Sequence, residues 1–213
     1  MIRGIDISHF EVGLNMATLP NDIAFVSMKA SQGATEQDPN FQGFYHDLKA
    51  DRPEIIRIAY HFFDWEVDGI IQAENILSRL VNYTEPGTGP LMLDLEADSG
   101  STEESYVIHN RAICILRVNY FIAYIRANAA RHELIIYSND DFIKNVICHT
   151  WPDTIFWVAS YQDNAPPFIP GWNFKFWQYS EFGQIDGSVS GGHLDLDQFM
   201  GTQQELNGLA NIV

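Results

Sequence analysis

Residues 91–97 read Leu-Met-Leu-Asp-Leu-Glu-Ala, and the alternation within them sets the architecture of the whole chain. Successive side chains of a strand point to opposite faces, so Leu93 and Leu95 share one face and Asp94 and Glu96 the other. Leucines on the outer face of a barrel strand pack under helices. Acids at its C-terminal end look into the barrel mouth, where the active sites of β/α barrels are built.

Outward from this strand, seven more short apolar runs recur, at residues 2–8, 24–31, 56–63, 133–139, 155–161, 174–180 and 194–199. Their length and their β-branched or aromatic content predict buried strands. Helical spacing of apolar residues appears over 41–50, 69–83, 102–131 and 140–148. In 69–83 the stripe is Ile70, Ala73, Leu77, Leu80 and Val81. Ser101 stands three residues before Glu104, a capping-box spacing for the third helix. Alternating strands and helices argue for an α/β fold with a parallel sheet, and eight strands argue for its closure.

The last third breaks the rhythm. Only Pro- and Gly-rich connections, 165–171 and 183–193, separate its final three strands, too short for covering helices. The expectation is an irregular TIM-like (β/α) barrel of about five βα units followed by three further strands. No linker or repeat interrupts residues 1–213, so one domain is expected.

Composition narrows the function. Of 213 residues, 46% are hydrophobic and 19% charged, enough apolar material for a sizeable core. The formal net charge of −16 repels phosphate backbones and anionic surfaces, so neither nucleic acid nor a membrane is an expected partner. Much of that charge serves solubility. No apolar run is long enough to span a bilayer, and no signal peptide is visible, since Met1 leads directly into the first strand. Cys114 and Cys148 sit in apolar helical surroundings and read as buried free thiols. No Cys/His cluster suggests zinc, and neither a serine-hydrolase elbow nor a phosphate-binding glycine loop occurs.

The chemistry-bearing residues fall at strand ends. Asp94 lies deeper than Glu96, and its charge is expected to raise the Glu96 pKa, as a general acid requires. The tetrapeptide alone fits equally well a pair of strand-end acids bonded to neighbouring loops. Asp6 and Asp195, read as the ends of the first and last strands, would complete a floor of four carboxylates. Such a cluster is costly to fold without a function. Tyr60, Tyr137, Tyr161 and Trp177 offer aromatic faces suited to sugar rings. His61 reads as a buried, hydrogen-bonded histidine, and Lys29 as a counter-charge to a carboxylate.

Seven stretches in order then resemble the glycoside hydrolase family 25 lysozymes: Gly4-Ile5-Asp6-Ile7-Ser8-His9, Lys29-Ala30-Ser31-Gln32-Gly33, Ala59-Tyr60-His61-Phe62, Leu93-Asp94-Leu95-Glu96, Trp157-Val158-Ala159-Ser160-Tyr161, Trp177-Gln178-Tyr179 and Asp195-Leu196-Asp197. The resemblance implies a flattened barrel and hydrolysis of the β-1,4 bond between N-acetylmuramic acid and N-acetylglucosamine in peptidoglycan. It implies Glu96 as general acid/base and Asp94 as the residue that polarises the substrate's acetamido group. Asp6, Asp195, Tyr60, Tyr137 and Gln178 would line the same cleft. No cofactor or metal is implied, action on the cell wall is expected, and a monomer is expected. Two positions depart from the family's usual pattern: Gln32 stands where an acid is common and Asp197 where Asn is. A non-catalytic glycan-binding barrel and a metal-dependent hydrolase using Asp6, His61, Asp94, Glu96 and Asp195 are the rival expectations.

Overall fold

The computed structural model describes residues 2–80, 83, 85–161, 166, 170–185 and 194–210. Strand β1 (Ile2–Ile7) is followed by 3-10 turns at His9–Glu11 and Met16–Thr18. Next come β2 (Ile23–Gln32), the two-residue β3 (Glu36–Gln37) and helix α1 (Phe41–Asp51). The middle of the chain holds β4 (Ile56–Phe62), α2 (Gly69–Arg79), β5 (Thr88–Asp94) and α3 (Thr102–Asn128). After β6 (Leu134–Asn139) and a π-helical turn (Phe142–Ile147) come β7 (Ile155–Ala159), β8 (Asn173–Ser180), β9 (Asp195–Phe199) and helix α4 (Gln203–Leu209).

Eight strands close in the order β1-β9-β8-β7-β6-β5-β4-β2, with β1 pairing to β2 and β3 appended to the outer end of β2. The fold is thus an irregular α/β barrel. Within the barrel every pairing is parallel except those that β9 makes with β1 and β8. This corrects the expectation of a wholly parallel sheet. Each of the first five barrel strands is followed by a helical segment, though not all of these are α-helices. Among the described residues, α1, α2 and α3 follow β2–β3, β4 and β5, and α4 follows β9, while β1 is followed by 3-10 turns and β6 by the π-helical turn. Much of the two connections in the last third (162–165, 167–169 and 186–193) lies outside the described residues.

Two apolar layers result from the alternation. Leu91, Leu93 and Leu95 face outward into a large cluster with Ala73, Ile76, Val118, Phe121 and Ile122 of the helices. Met92 faces inward among Phe25, Ile58, Tyr60, Ile135, Trp157 and Phe176. The inner cluster is an aromatic floor: Trp157 stacks on Phe176 at 4.6 Å, and Phe25 meets both rings edge-on. Full burial of each such ring stabilises the fold by roughly 1.5–3 kcal/mol. Gly4 makes room for it, because a Cβ there would lie 2.2 Å from the Phe25 ring. Helix α4, which no sequence period announced, closes the far end of the barrel with Leu206 and Ala210. Its one advance signal is Thr202-x-x-Glu205, a capping box formed in full.

Other local expectations are revised. Ser101 Oγ accepts from Glu104 N, but the Glu104 carboxylate returns to Gly100 N, so only half of that box forms. Helix α3 is broken at Asn110 (φ −123°, ψ 23°), whose side chain donates to the Tyr106 carbonyl. In α2 the buried face is Gln72, Ala73, Asn75 and Ile76, while Ile70 is exposed. The buried amides explain the rotation. Gln72 bonds His61 and the backbone of Asp64, and Asn75 Nδ2 donates to the carbonyls of Gln32, Gly33 and Glu36. Residues 81 and 82, where helix 69–83 was expected to continue, lie outside the described set. Cys114 is buried and free as expected, whereas Cys148, also free, is exposed just past the π-helical turn in a left-handed conformation (φ 51°).

Candidate active site

Asp94 ends β5, and Glu96 follows it on the same inward face. The extension past the strand is held on three sides. Leu95 N donates to the Tyr137 carbonyl, Ser138 Oγ donates to the Leu95 carbonyl, and the Trp65 indole N–H donates to the Glu96 carbonyl at 2.9 Å. Sequence reasoning passed over Trp65 and Ser138, because their contacts are to backbone and leave no mark in a motif.

Glu96 sits where two lobes of one acidic cleft meet. The outer lobe, about 750 Å³, is lined by Glu96, Asp98, Tyr137, Asn139, Asp140 and Tyr161 among others. The inner lobe, about 230 Å³, takes in Asp6, Lys29, Tyr60, Asp94, Glu96 and Asp195, with Phe10 and Glu11 at its edge. Asp6, Asp94, Glu96 and Asp195 are therefore brought together. Asp195 stands at the beginning of β9 and not at a strand end. The antiparallel course of β9 is what brings its first residue to the mouth.

Burial and like charge shift these acids in one direction. Burial raises the Glu96 carboxyl to about 7, with Asp6 as the next contributor and Lys29 opposing. The expected dominance of Asp94 over Glu96 is thus replaced by burial. Asp94 itself is raised by burial first and by the charge of Glu96 second. Asp6 rises to about 6 and Asp195 to about 9, again mainly through burial. Asp94 is buried, and its Oδ1 has no hydrogen-bond partner among the described residues.

The aromatic and amide residues divide. Tyr60 and Tyr137 line the inner lobe, and Tyr137 and Tyr161 the outer. Gln178 is almost fully buried and acts as a strut: its Nε2 donates to Asp6 Oδ2 at 2.8 Å, while its Oε1 accepts from the hydroxyls of Tyr137 and Tyr161. Trp177 does not join them. It neighbours Gln178 on β8 and so points the other way, its indole N–H donating to the Ser160 carbonyl. His61 is wholly buried between Ser31 and Gln72, and burial lowers its pKa to about 4. Lys29 donates to Gln32 Oε1 at 2.6 Å and lies over the Phe62 ring, so its direct partner is an amide and not a carboxylate.

A barrel whose mouth gathers four acids, one of them titrating near neutrality, is equipped for acid-assisted cleavage of a bond in a polar substrate. Comparison with known proteins agrees: the family described as "Glycosyl hydrolases family 25" matches residues 5–188, and the chain belongs to it. It is a glycoside hydrolase of the lysozyme family. Lysozyme M1 of Streptomyces globisporus is 29% identical over 99% of this chain and 71% of its own length. The crystal structure of a bacterial lysozyme from Streptomyces coelicolor superposes with a TM-score of 0.85 at 27% identity, covering 100% of this chain and 98% of that one. A muramidase from Acremonium alcalophilum shares the fold, with a TM-score of 0.84 at 23% identity over 99% of each chain. Among the described residues no helix is long and apolar enough to cross a membrane.

Proposed function

We propose that this enzyme hydrolyses the β-1,4 bond between N-acetylmuramic acid and N-acetylglucosamine in peptidoglycan, with Glu96 as general acid and then general base. The observation that carries the reading is Glu96 itself, a carboxyl raised to about 7 at the junction of the two lobes. A glycan strand lying across both lobes presents its glycosidic oxygen to that carboxyl. The relative from Streptomyces globisporus, named a lysozyme, supports the substrate class.

Asp94 and Glu96 approach from one side, which does not suit a nucleophile on the opposite face of the sugar. The substrate's own acetamido oxygen serves instead. It attacks the anomeric carbon as Glu96 protonates the departing oxygen, giving an oxazolinium ion. Glu96, now a carboxylate, takes a proton from the water that opens this ion. Asp94 Oδ1, which lacks a partner among the described residues, accepts the acetamido N–H and orients the attacking group. Tyr60, Tyr137 and Tyr161 offer faces and hydroxyls to the sugar rings, with Asp6 and Asp195 completing the polar floor.

The test is muropeptide release from purified peptidoglycan, with the new reducing ends identified by mass spectrometry. Wild type should release muramic reducing ends, and Glu96→Gln should be slower by roughly 10²–10⁴-fold. Brisk turnover of a substrate lacking the N-acetyl group would exclude the acetamido route. No release by wild type, with glycan binding retained, would convert the reading to a sugar-binding barrel.

A further inference from the structure

Asp197 belongs to no part of the mechanism above, yet it is a wholly buried acid two residues from Asp195 on the inward face of β9. Its Oδ1 accepts the Trp157 indole N–H at 3.0 Å, and its Oδ2 has no hydrogen-bond donor among the described residues. The β1–β9 ladder sets Asp197 one inward-facing step from the Asp195–Asp6 pair, and the Asp6 carboxyl is the group that interacts with it. Two carboxyls sharing one site do not readily both ionise, so one proton belongs to the pair. Asp6 already takes a donor from Gln178 Nε2, lines the cleft and is only half-buried. Asp197 has no such relief.

We propose that Asp197 is a positioning residue: held neutral, its carboxyl O–H donates to Asp6 and anchors the chain of contacts from Asp6 through Gln178 to Tyr137 and Tyr161. The charges around it favour that state. Asp6 faces it from β1 and Asp195 from its own strand, both acids. The neighbours on β8 and β7 are the neutral Gln178 and Trp157, and β2 turns Ser27 inward opposite Asp6. The remaining acids of the inner lobe are Glu11 at its edge, and Asp94 and Glu96 on the β5 side with Tyr60 and Tyr137. Among the described residues the one cation lining the inner lobe is Lys29, and it is bonded to Gln32. No cation among the described residues therefore draws the proton from Asp197. Burial and the neighbouring acids likewise raise its pKa well above the ordinary aspartate value.

The experiment compares wild type with Asp197→Asn, a permanent donor of the same shape, and Asp197→Ala. Each is followed by thermal melting between pH 4 and pH 8 and by KM on solubilised peptidoglycan fragments. A proton kept in the folded state and released on unfolding makes wild type lose ground to the Asn variant as the pH rises above 4, by about 3 °C per pH unit for as long as the proton is held. At pH 5 the Asn variant should hold KM within about threefold of wild type, while Ala raises it about tenfold or more. A melting difference that does not change with pH, or an Asn variant as impaired in KM as Ala, overturns the proposal. If Asp197→Ala does not fold, melting of wild type against Asn decides alone. The link to substrate rests on the cleft being the working site, whereas the melting comparison does not. Failure to cleave peptidoglycan therefore overturns the functional reading and leaves the Asp197–Asp6 contact to be judged by melting.

Discussion

Asp6 and Asp195 stand directly opposite one another as paired residues of the antiparallel β1–β9 ladder. Like charges in that relationship are destabilising. The structure tolerates them because both keep protons that an unfolded chain would release: Asp6 is raised to about 6 and Asp195 to about 9 from an ordinary value of 3.8. The sign follows. Their stabilising contribution is complete below pH 3.8, and Asp6 has lost its share once the pH passes about 6, Asp195 once it passes about 9. The melting temperature should therefore fall between pH 5 and pH 9, and Asp195→Asn should flatten that fall. Calorimetry across the range checks it, and a wild-type curve that rises over those units contradicts it.

Catalysis should follow the protonation of Glu96. With its carboxyl near 7, the acid form is present below that pH, so kcat/KM should decline above about 7. Asp6 is the largest like-charge contributor to that elevation. In Asp6→Asn the ionised form of Glu96 is less opposed, its pKa falls, and the alkaline limb should move to lower pH. A pH–rate series on the two proteins reads the shift directly, and a limb that does not move would mean the charge of Asp6 is not felt at Glu96.

Much of this architecture could be read from period-two alternation, because burial on both sides of a barrel strand leaves its mark on every second residue. Leu93, Asp94, Leu95 and Glu96 illustrate it: outer face to helices, inner face to cleft. What alternation cannot carry is strand direction. Asp195 reads as the end of a strand until the antiparallel pairing reveals it as a beginning. Nor does it tell, without a register, which of two neighbours faces the cleft: Trp177 and Gln178 stand side by side in the sequence and face opposite ways. Contacts to backbone, such as Trp65 to the Glu96 carbonyl, depend on chain paths that no local pattern encodes.

Two glycines should respond oppositely to the same substitution. At Gly69 an added Cβ would lie 1.9 Å from the Arg117 carbonyl oxygen, where α2 begins against the middle of α3. Backbone on both sides cannot step aside cheaply, so Gly69→Ala should destabilise by about 1–3 kcal/mol. Gly43, inside α1, has nothing within 4 Å of its would-be Cβ. There Ala removes only the entropic penalty of glycine and should stabilise by roughly 0.5–1 kcal/mol. Urea denaturation of the pair checks the contrast. Equal effects would mean that α2 and α3 do not approach so closely.

Gln178 is where stability and substrate handling should separate. Replacing it by Ala leaves three groups without their partner: Asp6 Oδ2, the Tyr137 hydroxyl and the Tyr161 hydroxyl. They are not equivalent. Tyr161 is 45% exposed, so water can replace the amide there. Tyr137 is buried, and its hydroxyl has no such substitute. The loss of Gln178 should therefore cost about 1–3 kcal/mol, almost all of it traceable to Tyr137 and Asp6. Asp6 also loses a hydrogen bond that holds its pKa down, so it should take up a proton at higher pH than in wild type. Tyr161→Phe, by contrast, should leave stability nearly unchanged and raise KM alone, because that ring borders the outer lobe. Denaturation and KM on the same preparations decide the matter: a Tyr161→Phe protein destabilised as much as Gln178→Ala would show that the hydroxyl is a structural anchor and not a contact held ready for the glycan.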